Sequence, residues 1–491
     1  MSAPERTRVA IIGTGFSGLA MAIQLERSGR PDFLLFERSD SIGGTWRDNH
    51  YPGCACDVPA HLYSFSFEPN PDWSSAYAPQ AEIRAYIERV AARHDLTRRI
   101  RFSAEVVRAE LDEARACWTL ETADGRVFIA DVVVSAVGGL SRPSVPRLPG
   151  LERFAGRTWH SARWDHEAPL DGEVVAVVGT GASAIQFVPR IAPRAGRLLL
   201  FQRTPPWVLP RRDHDFTPME RRLLRFAPLR WLYRQRLYWS LEARSIPFTL
   251  APRVLRWAQR VAVRHIHSQV GDPELARKLT PDYTMGCKRI LLSNDYYPAL
   301  ARPNVEVVTD PIREVTARGV VTDDGVERAV STIVFGTGFD VHDYLGRLRV
   351  IGRGGAELSA RWRGRAEAHM GATVPGFPSF FIMTGPNTGL GHNSIIFMAE
   401  CQVRYILSAL RAMERRGACL VEPREDVVRD YNQRLQERMR RTVWSSGCRS
   451  WYINQDGINT TLWPGSTAEF LLRTWRFDPA AHIMERRAGP A

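Results

Sequence analysis

Two glycine-rich loops, and the charged residue that follows each of them, carry the first chemical signal in the chain. Gly13-Thr14-Gly15-Phe16-Ser17-Gly18 stands directly after the apolar run 9–12, and Glu37 comes 24 residues after Gly13 (37 − 13). Gly179-Thr180-Gly181-Ala182-Ser183-Ala184 follows the apolar run 174–178, and Arg203 comes at the same interval of 24 (203 − 179). Glycines at this spacing allow a tight turn and let the backbone approach a pyrophosphate. The helix that follows offers free N–H groups and the positive end of its dipole. An acid at the end of the next strand accepts from a ribose diol and repels a 2′-phosphate, whereas an arginine favours the phosphate. Gly13, Gly15, Gly18 and Glu37 therefore read as one dinucleotide site. Gly179, Gly181, Ser183 and Arg203 read as a second, of opposite preference. Two such sites on one chain suit the passage of electrons from one cofactor to another.

The elements that must position these residues repeat as well. Each loop sits between a short apolar strand and a helix pattern, and a second strand follows (33–36, then 198–201) before the charged residue. Residues 106–129 read as a β-meander turning at Asp124-Gly125, with a further strand at 132–134. A second Asp324-Gly325 turn precedes the strand 331–335. Gly13 to Asp124 spans 111 residues and Gly179 to Asp324 spans 145, so the second copy carries 34 more. The excess is placed in 216–280, an Arg- and Trp-rich stretch with helical apolar spacing, expected to wall a substrate cavity; a membrane-surface role is the alternative. Pro143, Pro146 and Pro149 make a stiff connector. A long helix is expected over 394–415, behind the loop Gly385-Pro386-Asn387-Thr388-Gly389.

The fold class expected is α/β, with two Rossmann-like dinucleotide-binding domains, the second nested in the first, and a helical insertion. Residues 1–142 and 339–491 form the two parts of the first domain. Residues 150–215 and 281–338 form the second, and 216–280 the insertion.

At 491 residues the chain needs more than one core. Its net charge of +13 is spread mostly over arginines without a single-sign tail, which favours phosphate-binding spots over nucleic acid. No targeting pattern and no spanning run occur, so a cytoplasmic protein without an integral membrane segment is expected. The seven cysteines are an odd count without framework spacing and read as free thiols in a reducing compartment. Cys54 and Cys56 lack a second Cys/His pair and read as buried thiols, with no metal site. Around them, Gly43-Gly44-Thr45-Trp46 and Tyr51-Pro52-Gly53 set glycines beside aromatics, as if the backbone passed close to a flat ligand.

One linker narrows the class. Phe154-x-Gly156-x-x-x-His160-x-x-x-Trp164-Asp165, just ahead of the second glycine loop, resembles the fingerprint of type I Baeyer–Villiger monooxygenases at every fixed position. The related N- and S-oxygenating flavin monooxygenases share the Phe-x-Gly-x-x-x-His part but usually lack the Trp-Asp. Disulfide reductases, with their spaced cysteine pair, do not fit Cys54 and Cys56.

The resemblance implies FAD at the first site and NADPH at the second, and a product ester or lactone formed from a ketone and O₂ through a flavin C4a-peroxide. A sulfide is an alternative acceptor. It implies that Gly44, Thr45, Trp46, Tyr63 and Asn387 accompany the FAD loop, and that Tyr51-Pro52-Gly53-x-x-x-Asp57 is the flavin-side loop with its acid. It implies that Lys288-Arg289 is the segment bearing the active-site arginine, with Arg203, Thr204 and Lys288 at the 2′-phosphate. Gly336-Thr337-Gly338 resembles the family's Ala-Thr-Gly hinge, with Gly336 in the alanine's place. Arg289 and Asp57 then read as the catalytic pair, with a plain structural salt bridge as the alternative. Phe154, Gly156, His160, Trp164 and Asp165 read as label and hinge. Monomer and homodimer both remain open, as does a non-catalytic sensory flavoprotein.

Overall fold

The computed structural model describes residues 4–249, 254–448 and 450–487. Two sheets organise it, a larger mixed one and a smaller one that is parallel throughout. The larger has the order Arg349–Ile351, Val106–Asp112, Cys117–Thr122, Val127–Ser135, Glu5–Ile12, Phe33–Phe36 and Ile100–Arg101, with Phe380–Ile382 paired to Val127–Ser135 off this path. The smaller runs Val305–Val308, Arg197–Phe201, Val174–Val178, Thr332–Phe335 and Arg157–His160. Every strand of the smaller sheet lies in sequence between Ser135 and Arg349, so one dinucleotide fold is nested in the other. The class is the one expected from the paired loops.

The central strands are apolar throughout: Val9–Ile12, Val132–Val134 and Val175–Val177 are all buried. That composition suits parallel strands covered by helices on both faces. Phe16–Arg27 covers the first sheet and packs against the long helix Ile395–Arg416, and Ala184–Ile191 follows the second loop. The glycines are required where loop meets sheet. Gly13 and Gly179 have φ +108° and +105°, and a Cβ there would lie 2.5 Å from the Ala136 carbonyl oxygen and 2.6 Å from that of Gly336.

The repeat extends to the turns. Thr122 Oγ1 donates to Asp124 at 2.5 Å, and Thr322 Oγ1 donates to Asp324 at 2.5 Å, each closing a turn whose glycine has positive φ. The strand expected at 132–134 is the end of one longer strand, Val127–Ser135, which bridges the meander and the parallel core. The stretch 216–280 is helical as expected, with Pro218–Arg225, Ala227–Glu242, Ser245–Thr249, Leu255–Gln269 and Pro273–Leu279, apart from 250–253, which lie outside the described residues.

The two crossings between the domains run side by side. Ser144 N donates to the Gly338 carbonyl (2.9 Å), Asp340 N to that of Arg142 (3.0 Å), and Arg142 pairs with Asp343 at 2.9 Å. The two connectors are thus bonded to each other, with Pro143 and Phe339 forming an isolated antiparallel bridge.

One sequence expectation is corrected. Cys287 and Cys448 form a disulfide, with Cα atoms 6.2 Å apart, so the cysteines are not all free. Their separation of 161 residues hides any spacing signal. Cys54 and Cys56 are buried unpaired thiols, and burial pushes the Cys54 thiol up to about 12. No helix among the described residues is long and apolar enough to cross a membrane.

Candidate active site

A cavity of about 1700 Å³ runs from the first glycine loop to the second. Ligand pockets for single small molecules span roughly 300–1,000 Å³, so this one has room for more than one group. Gly13, Gly15, Glu37, Gly44, Thr45, Trp46, Asp57 and Tyr63 line it from the first domain. Gly179, Gly181, Ser183, Arg203, Thr204, Lys288 and Arg289 line it from the second. Gly18 does not: a Cβ there would meet the Gly13 carbonyl oxygen at 1.9 Å, so it serves the packing of helix against loop.

At the first end, no side chain caps the N-terminus of Phe16–Arg27, which leaves its N–H groups for a ligand. Glu37 is buried and already engaged. Its carboxylate accepts from Thr14 N (3.3 Å), Thr14 Oγ1 (2.5 Å), Ser39 N (3.0 Å) and Arg47 Nη1 (2.8 Å). These contacts aim it along the cavity wall, and a ribose would share the remaining lone-pair directions. Burial lowers the Arg47 pKa, but Glu37 and Asp48 outweigh it and hold the guanidinium above its ordinary value. Arg47 was not singled out from sequence; only its place two residues after Gly44-Thr45 hinted at it.

At the other end Arg203 is exposed to the cavity and Lys288 is half-buried, and neither pairs with a carboxylate among the described residues. Burial, and then the neighbouring Arg203, hold Lys288 below the usual lysine pKa. Its Nζ stands 4.6 Å over the Tyr283 ring. Two cations kept close without a counter-ion fit a phosphate dianion. The two ends thus fit an FAD at the acid and an NADPH at the cations.

Between them Arg289 donates through Nε (2.9 Å) and Nη2 (2.5 Å) to one carboxylate oxygen of Asp57, 232 residues away. Each side chain keeps about 30% of its surface, 30% for Arg289 and 29% for Asp57, toward the cavity. Asp57 raises the Arg289 pKa further above its ordinary value, against the opposing effect of burial. The guanidinium is a permanent cation there. Tyr63 lies beside this pair, and its hydroxyl accepts from Trp46 Nε1 at 3.1 Å. Tyr452 is buried nearby. Burial raises its hydroxyl to about 12, with Arg289 acting in the opposite sense.

Three sequence expectations change place. Asn387 is buried off the cavity and spends its side-chain amide on the carbonyls of Asn459 (2.9 Å) and Leu462 (3.0 Å), pinning the loop behind it. Its neighbours Thr388 and Gly389 reach the lining instead. Gly53 meets the second domain rather than a flat ligand: at φ +80°, a Cβ would lie 2.7 Å from the Gln186 carbonyl oxygen. Gln186 clasps this loop, accepting from Tyr51 Oη (2.9 Å) and donating to the Ala55 carbonyl (3.0 Å). No sequence spacing pointed to Gln186. Finally, none of the residues 216–280 lines the cavity, so the insertion does not wall it.

The linker Phe154–Asp165 also lies off the cavity, except for Arg163; Ala162 lines only a smaller neighbouring pocket. Arg157–His160 is the edge strand of the second sheet, beside Thr332–Phe335. A Cβ at Gly156 would strike the Ser331 carbonyl at 2.4 Å. His160 is buried, accepts from Ala162 N (3.1 Å) and meets the Phe339 ring edge-on at 5.6 Å. Burial lowers its pKa. Trp164 is buried between Trp159 (5.8 Å) and Phe187 (5.2 Å). Asp165 is exposed and caps Glu167 N at 3.0 Å. The motif thus packs the connector against the second domain's sheet and helix.

Comparison with known proteins agrees with this geometry. Residues 6–345 match the flavin-binding monooxygenase-like family. A Baeyer–Villiger monooxygenase of Pseudomonas aeruginosa is 51% identical over 98% of this chain and 92% of its own length. One from Streptomyces coelicolor is 50% identical over 99% and 94%. Among solved structures, a steroid monooxygenase bound to NADP superposes with a TM-score of 0.87 at 30% identity, over 98% of this chain and 100% of its own. Cyclohexanone monooxygenase from Rhodococcus sp. Phi1, bound to NADP⁺, gives 0.88 at 29%, over 99% and 100%. This is an NADPH-dependent flavoprotein monooxygenase with FAD as its second cofactor. More narrowly, the chain belongs to the Baeyer–Villiger branch of the flavin-binding monooxygenase-like family, and its reaction is Baeyer–Villiger oxygen insertion.

Proposed function

We propose that Arg289, held by Asp57, is the residue on which oxygen insertion beside a ketone carbonyl turns, and that a small ketone is the organic substrate. The observation that carries this is the Asp57–Arg289 pair itself, with contacts of 2.9 and 2.5 Å, on the cavity wall between the acid end and the cation end. Bound FAD supplies hydride acceptance from NADPH and the activation of O₂. The protein's own share is to hold, exclude water and stabilise charge.

The uncapped helix N-terminus at Gly15, with Glu37 and Thr14, would hold FAD. Ser183, Arg203, Thr204 and Lys288 would hold NADPH. Arg289 supplies a fixed positive charge for oxygen-centred negative charge, including the carbonyl oxygen as its bond to carbon weakens. A guanidinium does this without giving up a proton. Asp57 accepts hydrogen bonds from Nε and from Nη2, so the remaining N–H groups of Arg289 are those left for substrate. Gln186 and Gly53 fix the loop that carries Asp57 against the second domain, which sets the pair's position as the hinge flexes.

Arg289→Ala is expected to keep bound flavin and its reduction by NADPH while losing ester formation by roughly 100-fold or more, the scale of losing one charge-stabilising donor. Near-normal ester yield in that variant would overturn the assignment.

A further inference from the structure

The helices between residues 216 and 280 take no part in the cavity, yet they carry the most unusual surface of the protein. Met219, Phe226, Trp231, Leu232 and Trp239 are 63%, 61%, 62%, 58% and 59% exposed, and Leu223, Leu229 and Ile246 are exposed beside them. Seven of these eight side chains lie on three helices consecutive in sequence, Pro218–Arg225, Ala227–Glu242 and Ser245–Thr249, each packed on the next, and Phe226 stands at the junction of the first two. Single exposed apolar residues are ordinary, but a concentration of this kind marks a surface that meets something.

The charge says what. Between 216 and 280 there are 13 Lys and Arg and 4 Asp and Glu, a net of +9 (13 − 4) out of +13 for the whole chain. Arg222, Arg236, Arg244, Arg256, Arg260 and Arg264 are exposed, and among the described residues none has a carboxylate within ion-pair distance. A second copy of this chain is the poorer occupant. The apolar patch itself, 218–249, carries 7 Arg and 2 Glu, a net of +5 (7 − 2); in a two-fold dimer the same patch meets itself, and like charge would face like charge. Exposed tryptophans and leucines set among unpaired arginines suit the boundary between headgroups and acyl chains of an anionic bilayer. The base of the patch is rigid enough to present it. Arg234 is anchored to the Ser64 carbonyl at 3.2 Å. Glu242 accepts from Asn393 (2.8 Å), Thr467 (2.8 Å) and Ala468 N (2.9 Å) of the first domain.

We propose that the Pro218–Thr249 face is a peripheral docking surface for an anionic lipid bilayer, lying on the membrane without spanning it. The test is flotation of the full-length holoenzyme with vesicles of equal parts phosphatidylcholine and phosphatidylglycerol, against phosphatidylcholine alone. The protein should float with the anionic vesicles only. Its tryptophan emission should be quenched by bromine-labelled acyl chains. Affinity should fall about fivefold with each of Arg222→Gln and Arg236→Gln, the conversion of about 1 kcal/mol per surface arginine. Trp231→Ser with Trp239→Ser should abolish flotation, with the melting temperature and NADPH turnover retained as the check on folding. No flotation with the anionic vesicles would overturn the proposal, as would undiminished flotation of the double tryptophan variant. A concentration-dependent dimer, lost on Trp231→Ser and unaffected by vesicles, would overturn it in favour of self-association.

Discussion

Replacing Arg203 with alanine removes one of the two cations, Arg203 and Lys288, that stand together at the second end of the cavity without a carboxylate partner among the described residues. The other, Lys288, has its pKa lowered first by burial and then by Arg203 itself. Both observations mean that each charge is unsatisfied within the protein and is relieved by an anion. A hydrogen bond to a charged group contributes about 1.5–3 kcal/mol. Loss of Arg203 should therefore raise the KM for NADPH roughly 10- to 150-fold. NADH has no 2′-phosphate, so its kinetic constants should move by less than about twofold on the same reasoning. The assay is steady-state kcat/KM for both coenzymes in wild type and Arg203→Ala, repeated for Lys288→Ala and the double variant. Because both residues are assigned to one phosphate, their effects should not simply add. The reasoning is refuted if the NADPH-to-NADH preference is unchanged, or if both coenzymes lose equally.

Three further outcomes follow from particular contacts. Gly53→Ala combines a positive φ with a Cβ 2.7 Å from the Gln186 carbonyl oxygen. It should destabilise the protein by about 1–3 kcal/mol, read as a lower melting temperature, and an unchanged melt would contradict the interdomain role of that loop. Burial holds His61, His369 and His482 to about 4, 3 and 4, so the native state keeps them neutral, whereas unfolded histidines protonate near 6.5. Stability is therefore present above pH 6.5 and is lost as the pH falls below it, by about 1.4 kcal/mol per pH unit for each histidine. Urea unfolding at pH 7.5, 6 and 5 checks this, and a flat profile refutes it. Cys287→Ser with Cys448→Ser should cost about 2–5 kcal/mol, since the bridge closes a loop of 161 residues; equal stability of wild type with and without a thiol reductant would argue against the bond.

Much of the fold was legible because its signals are local. The strand, glycine loop and helix at Gly13 and at Gly179, the charged residue 24 positions on and the Asp-Gly turns each lie within a short window where periodicity and turn chemistry speak directly. The site was legible only in part. Glu37 and Arg203 follow from spacing, but the Asp57–Arg289 contact spans 232 residues and came from resemblance to a family, not from any pattern in the residues. Gln186, Arg47 and the Cys287–Cys448 bridge stayed hidden for the same reason. Each is a long-range or side-chain choice among many equivalent polar residues. Asn387 shows the converse: a residue in a promising glycine loop was turned inward by carbonyls 72 and 75 positions away. The insertion was recognised as helical by its apolar spacing, but the spacing could not say which of those apolar residues remain exposed.

The central claim is that the Asp57–Arg289 pair serves oxygen insertion beside a ketone carbonyl. The most direct measurement supplies the purified holoenzyme with NADPH, a panel of ketones and isotopically labelled dioxygen, and takes product mass for wild type and Arg289→Ala side by side. Wild type is expected to give an ester or lactone carrying one labelled oxygen per NADPH consumed, and Arg289→Ala to consume NADPH without that product. Label incorporation that survives in Arg289→Ala, or NADPH consumption by wild type that yields only hydrogen peroxide across the panel, would contradict the account.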